Sequence, residues 1–180
     1  MTTLVIAVIG EDRPGLVSAL SDVVAEHGGS WGRSQLSELA GTFAGIVTVE
    51  VAADAVEPLE GALRGLQGVL ETSVRRLGAD PPPQPADGPV AHLDLVGHDQ
   101  PGIVRQITGV LAAAGVSVER LQSAVVPTPQ GGGDIFQARA VLRAPEGADL
   151  DGLRSALEEL AQELQVDLTF GEEDEGPDWG

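Results

Sequence analysis

GEDRPGLV (residues 10–17) and GHDQPGIV (residues 97–104) are nearly the same phrase written twice in one chain. Each follows a short apolar run and opens an amphipathic pattern. After the first, Leu16, Val17, Leu20, Val23 and Val24 recur at helical spacing until His27-Gly28-Gly29 supplies a stop. Laid against each other without a gap, residues 10–35 and 97–122 are identical at Gly10/Gly97, Asp12/Asp99, Pro14/Pro101, Gly15/Gly102 and Val17/Val104. The identities continue at Val23/Val110, Ala25/Ala112, Gly28/Gly115, Ser30/Ser117, Arg33/Arg120 and Gln35/Gln122. The chain is an internal duplication.

Working outward, residues 4–9 read as a first strand, and 34–39 and 43–51 as a hairpin turned by Ala40-Gly41. Leu59, Ala62, Leu63 and Leu66 mark a second helix, and residues 69–77 a last strand. That order is βαββαβ, the ferredoxin-like pattern. ADPPPQPADGP (residues 79–89) holds five prolines in eleven residues, which forbids a helix or central strand and predicts a semi-rigid linker. The order then restarts, with strands at 92–96, 116–126, 135–142 and 166–170. One helix is lined by Ile103, Val104, Ile107, Val110 and Leu111, and a second carries the stripe Leu150, Leu153, Leu157, Leu160 and Leu164. Its hairpin has the longer loop PTPQGGGD. The expected organisation is domain 1 at 1–79, linker at 80–89, domain 2 at 90–171 and an acidic tail at 172–180. The tail, EEDEGPDWG, reads as a disordered solubilising end, or as a docking segment anchored by Trp179.

The first strands of the two copies differ. Leu93 and Leu95 alternate with His92 and Asp94, so one face is polar. Ile6 and Val8 alternate instead with Val5 and Ala7, apolar on both faces. Helices cover only one face of this fold, so the other face of domain 1 is expected to pack against domain 2 or another chain.

Charge and composition exclude several function classes. With 10 basic and 28 acidic side chains the net charge is −18, which repels phosphate backbones and anionic membranes. A role in gene regulation would therefore run through a protein partner. The absence of cysteine removes disulfides, thiolate catalysis and Cys-ligated metals, and fits a reducing cytoplasm. The N-terminus lacks the basic region and the length of a signal peptide or membrane span.

The repeated turn has a structural explanation and a chemical one. Pro14 and Pro101 suit a first helical turn, Gly10 and Gly97 a positive-φ exit from the strand, and Asp12 and Asp99 a carboxylate cap. Gly15 and Gly102 are left over, because glycine inside a first helical turn costs up to ~1 kcal/mol relative to alanine. They make sense if a ligand or another backbone approaches the helix N-terminus, where free N–H groups favour an anion such as an α-carboxylate. Asp12 or Asp99 could then take the α-ammonium, with Arg13 available for a carboxylate in the first copy only.

A strand, then DRPGLV or DQPGIV, then a helix within a βαββαβ unit resembles the ACT domain, a small-molecule-sensing module that usually binds amino acids. Two such units joined by a Pro-rich linker resemble the glycine cleavage system transcriptional repressor family. SQLSELAGTF (residues 34–43) is similar to that family's second strand and hairpin, S-x-L-x-x-L-x-G-x-F. The resemblance implies an α+β protein of two ferredoxin-like domains, each an antiparallel four-stranded sheet covered by two helices on one face. It implies side-by-side pairing of ACT domains through strand two and helix one, as in a homodimer, with ligand near the strand-one/helix-one loop. Carried over, the ligand-binding residues are Gly10, Glu11, Asp12, Arg13, Pro14 and Gly15, and in the second copy His98, Asp99, Gln100, Pro101 and Gly102. Glu11 becomes His98 and Arg13 becomes Gln100, so the two loops are not equivalent, and the first is the stronger candidate.

Enzyme readings are weak. His27 reads as a helix C-terminal cap, and His98 beside Asp99 has no nucleophile motif nearby. QGGGD lacks the following Lys-Ser/Thr of a phosphate loop. The expectation is a cytoplasmic, non-enzymatic regulator without cofactor, metal or catalytic residues. It would sense a small amino acid such as glycine or serine and act through a protein partner, a transcription factor or a metabolic enzyme. The rival is a ligand-independent interaction module or detached regulatory subunit.

Overall fold

The computed structural model describes residues 1–66, 68–78, 88–128 and 133–171. The expected linker core, the PQGG stretch (residues 129–132) of the second hairpin loop and the acidic tail with Trp179 lie outside the described residues. The chain divides into two compact units, Met1–Pro83 and Gln84–Gly180.

In the first unit β1 (Thr2–Glu11) leads into α1 (Leu16–Glu26), β2 (Ser30–Leu39) and β3 (Thr42–Val51). A 3-10 turn (Ala53–Ala55) precedes α2 (Val56–Arg64), and β4 (Glu71–Arg76) completes the unit. The second unit repeats the plan with β5 (Val90–His98), α3 (Ile103–Ala113), β6 (Ser117–Pro127), β7 (Asp134–Arg143), α4 (Leu150–Leu164) and β8 (Val166–Gly171). Both sheets are four-stranded, in the orders β2-β3-β1-β4 and β6-β7-β5-β8. Every strand pairing within them is antiparallel. This is the ferredoxin-like fold, twice.

Period-two alternation decides which face each sheet buries. Leu4, Ile6 and Val8 point to the helices and are buried with Val47, Val49 and Val51. The helices meet them with Leu16, Leu20 and Val24 on α1 and with Val56, Leu59 and Leu63 on α2. In the second unit Leu93, Leu95, Ala140 and Leu142 face Ile103, Ile107 and Leu111 of α3 and Leu153 and Leu157 of α4. A buried leucine of this kind is worth roughly 1.5–3 kcal/mol over an exposed one, so each unit has its own core.

The helix ends are set by local chemistry. The His27 ring Nδ1–H donates to the Val23 carbonyl at 2.8 Å, satisfying an end-of-helix acceptor. Ala40 and Gly41 both take positive φ (52° and 77°), as the tight hairpin turn requires. The α4 N-terminus is capped by the Asp149 carboxylate, which accepts from the Gly152 N–H at 2.9 Å.

On the helix-free face of domain 1 the apolar row persists, with Val5 and Ala7 half-buried and Ile9 and Ile46 still 48% and 47% exposed. The matching face of domain 2 is less wet than its sequence suggests. Asp94 accepts from Arg139 Nε at 2.9 Å, with the side chains only 21% and 14% exposed. Cross-strand register places these residues opposite each other, so the polar row is neutralised within the sheet.

Gln165, the C-cap of α4, is held at φ 54° and ψ 47° with its side chain exposed. Gln165→Gly should therefore raise the unfolding free energy by ~1 kcal/mol, read by urea denaturation. Glu60 accepts from Arg76 Nε at 2.9 Å and lies near Arg64. The Arg76 hydrogen bond and the two positive charges hold its carboxyl below the usual range, against a smaller opposing desolvation. That stabilisation is present above the ordinary glutamate pKa and is lost as pH falls through the depressed one. Glu60→Gln should weaken the protein at neutral pH, and the difference from wild type should vanish in acid.

Candidate functional site: the two strand–helix loops

Each loop leaves a central strand and enters a helix across four residues. In the first, Gly10 and Glu11 still pair with Phe43 and Thr42, and the Asp12 N–H donates to the Gly41 carbonyl at 2.8 Å. The hairpin tip is held in turn by the Glu38 carboxylate, which accepts from the Gly41 N–H at 2.6 Å. In the second, Gly97 and His98 pair with Phe136 and Ile135, and the Asp99 N–H donates to the Asp134 carbonyl at 2.8 Å. The same backbone bond thus ties loop to hairpin in both copies.

The two glycines of each turn exchange their expected roles. Gly15 and Gly102 are not inside the helix. They are its N-caps, at φ 92° and 94°, a left-handed conformation that costs a side-chain-bearing residue roughly 1–2 kcal/mol. A Cβ on Gly15 would meet nothing within 4 Å, so close approach by this chain's own described atoms is not the reason for that glycine. Gly10 and Gly97, in contrast, are not among the positive-φ residues. A Cβ on Gly10 would fall 2.6 Å from the Val69 carbonyl, and one on Gly97 would collide with Val166. They let the central strand lie against the start of the last one.

Two further expectations are corrected. Pro14 and Pro101 precede the first helical residues, Leu16 and Ile103, by two positions, shaping the turn rather than the helix. Neither α1 nor α3 has a side-chain cap, so Asp12 and Asp99 do not serve that purpose. Their exposed carboxylates stand beside uncapped helix N-termini, where the macrodipole favours an anion and the carboxylates favour a cation.

Residues 11–15 are all exposed, as are His98, Asp99, Pro101 and Gly102; Gln100 is half-buried. The Arg13 guanidinium reaches the Gly68 carbonyl at 3.5 Å. Beside it a cavity of ≈ 280 Å³ is lined by residues 9–11 and 68–71, which brings Glu11 and Glu71 to one opening. Gln100 makes the matching reach in the second copy, donating from Nε2 to the Leu164 carbonyl at 2.7 Å. His98 approaches the hairpin instead, its Nδ1 3.7 Å from where a Cβ on Gly133 would stand. A larger cavity, ≈ 750 Å³, opens at the far end of β5 between His92, Asp94, the start of α4 and Thr169. None of the loop residues is among its described lining.

Both tether partners, the carbonyls of Gly68 and Leu164, were invisible to sequence reasoning, because a backbone acceptor carries no residue-type signal. Among the described residues no group of three His, Asp or Glu side chains could hold a metal, and no helix is long and apolar enough to cross a membrane.

Two family models match, both described as the ACT domain, over residues 2–75 and 92–164. The chain belongs to the ACT-domain family. The tandem of ACT domains is similar, at 26% identity over 166 residues, to the glycine cleavage system transcriptional repressor of Escherichia coli (strain K12). That similarity covers 91% of this chain and 86% of the relative, and an equal match is found in Shigella flexneri. Among solved structures, a protein of unknown function from Galdieria sulphuraria superposes with a TM-score of 0.85 at 27% identity, covering 96% of this chain and 99% of the other. A crystal structure assigned as a glycine cleavage system transcriptional repressor superposes at 0.68 over 96% of this chain and 98% of its own; at 19% identity it supports the fold alone. This is an ACT-domain regulatory protein related to the glycine cleavage repressor.

The swapped glycines generate opposite expectations for space and strain. Gly10→Ala should destabilise domain 1 by ~1–3 kcal/mol through collision with the Val69 carbonyl. Gly15→Ala should cost roughly 1–2 kcal/mol through strain alone. Gly15→Asn, which tolerates positive φ better, should recover part of that loss, whereas Gly10→Asn should be worse than Gly10→Ala. Thermal denaturation of the four variants checks the ordering.

Proposed function

We propose that this protein is a non-catalytic regulator whose first strand–helix loop binds a small amino acid, glycine or serine being the first candidates. The observation that carries the reading is the convergence at α1. An uncapped helix N-terminus stands behind a left-handed glycine, with the Asp12 carboxylate and the Arg13 guanidinium both exposed beside it. An α-carboxylate would take the helix N–H groups and Arg13, and an α-ammonium would take Asp12. The positions Gly10, Glu11, Asp12, Arg13, Pro14 and Gly15 form this site, with His98, Asp99, Gln100, Pro101 and Gly102 its altered counterpart.

The signal would pass to a protein partner, a transcription factor or a metabolic enzyme. The E. coli relative named as a transcriptional repressor supports the first, and a net charge of −18 disfavours direct contact with DNA. Two copies of the chain would pair through the outer strands. Every residue of β6 is exposed, with Val118, Leu121, Val125 and Val126 among them, and the β2 edge presents Leu39. Ligand between paired edges would favour one domain arrangement over another. A ligand-independent docking module is favoured instead by the exposed Ile9 and Ile46 on the helix-free face of domain 1.

A thermal-shift screen of the common amino acids tests the leading reading. At 100-fold its dissociation constant the ligand should add ~2.7 kcal/mol to the unfolding free energy, and Arg13→Ala should remove most of that gain. Absence of any shift at millimolar concentration would sink amino acid sensing and leave the docking module.

A further inference from the structure

The two loops carry the same tether in different chemistry. Strand register makes Ile9 opposite Glu71 and Val96 opposite Asp167 equivalent pairs. Counting back from them, Gly68 and Leu164 occupy the same place ahead of the last strand. Position 13 and its counterpart 100 therefore reach the same backbone carbonyl in both domains. The bonds are not alike. Gln100 donates at 2.7 Å from a half-buried side chain to the last residue of α4. Arg13 donates at 3.5 Å from an exposed one, to a connection that α2 has already left at Arg64. A contact near 3.6 Å is at the limit of what counts as a hydrogen bond, whereas 2.7 Å is short and strong.

We infer that position 13/100 decides which copy can respond to a ligand: Gln100 bolts the second loop to α4, and Arg13 is a releasable catch on the first. Where α4 runs on to Leu164 and is bolted, domain 1 has a shorter α2 and a cavity beside the catch. A guanidinium has five donors and a permanent charge, so a ligand carboxylate outcompetes a long bond to a neutral carbonyl. Binding then frees Gly68 and the segment leading into β4. The neutral amide of Gln100, already committed, gains far less by turning to an anion. Domain 1 is the sensing copy, and domain 2 is a rigid partner built on the same turn. The ligand half of this inference rests on the proposal of amino acid binding; the bolt does not.

Residue-resolved amide exchange by NMR on the full chain separates the two. In the absence of ligand, Gln100→Ala should accelerate exchange of the Asp99 amide about tenfold, while the Leu95 amide on β5 keeps its wild-type rate and shows that the domain is folded. Arg13→Ala should leave the Asp12 amide within about twofold of wild type. An unchanged Asp99 rate in Gln100→Ala, or an equal acceleration at Asp12 in Arg13→Ala, overturns the inference whatever the ligand result. With glycine, serine and the other common amino acids as probes, amide shifts should fall on Glu11, Arg13 and Gly68 and spare His98–Gly102. Arg13→Gln should lose them and Arg13→Lys should keep them in weakened form. Equal shifts in both loops also overturn it. If no amino acid moves either loop, amino acid sensing fails and the exchange result alone decides the bolt.

Discussion

A chain leaving β1 has four residues, Asp12 to Gly15, in which to abandon the sheet and enter a helix that lies across it. The rest of the domain depends on that crossing. It must place Leu16, Leu20 and Val24 over Leu4, Ile6 and Val8, or the core does not close. The backbone manages it with a proline-fixed turn followed by a left-handed glycine, so the helix starts without a side-chain cap. Domain 2 solves the same problem with the same φ, 94° against 92°, although Gln100 stands where the first loop has Arg13. The geometry is what the duplication kept.

That solution has a chemical consequence. A helix that begins with an ordinary cap, as α4 does with Asp149, satisfies one of its N-terminal N–H groups, that of Gly152, internally. A helix that begins with glycine in the left-handed region leaves them to whatever approaches from outside. The same backbone requirement that closes the core thus leaves an anion-attracting end at the surface, twice. The surroundings differ: Arg13 reaches the Gly68 carbonyl at 3.5 Å beside a cavity, and Gln100 reaches the Leu164 carbonyl at 2.7 Å.

The tandem ACT fold was legible almost completely. Apolar runs and helical spacings located the eight strands and four α-helices of the described residues, but not the 3-10 turn at Ala53–Ala55 or the start of β2 at Ser30. The Ala40-Gly41 turn and His27 cap stand where the residues placed them. The loop was legible as a place and less so as a mechanism. The motif could be read as Gly-x-Asp-x-Pro-Gly, but its two glycines were assigned each other's work. A sequence contains no information about which backbone lies 2.6 Å away, so close packing at Gly10 could not be told from conformational freedom. The polar row His92-Asp94 likewise read as solvated because its partner Arg139 lies on a strand far along the chain.

By itself the sequence determined the duplication, the fold of each half, the extreme acidity and the position of the candidate loops. These depend on periodicity, composition and residue type, which are local and additive along the chain. Tertiary structure decided which glycine carries strain and which carries packing. It also decided that the aspartates do not cap their helices, and that positions 13 and 100 reach equivalent carbonyls with unequal grip. The packing glycines and the two tethers depend on distances between segments more than fifty residues apart, and on backbone atoms that every residue type shares.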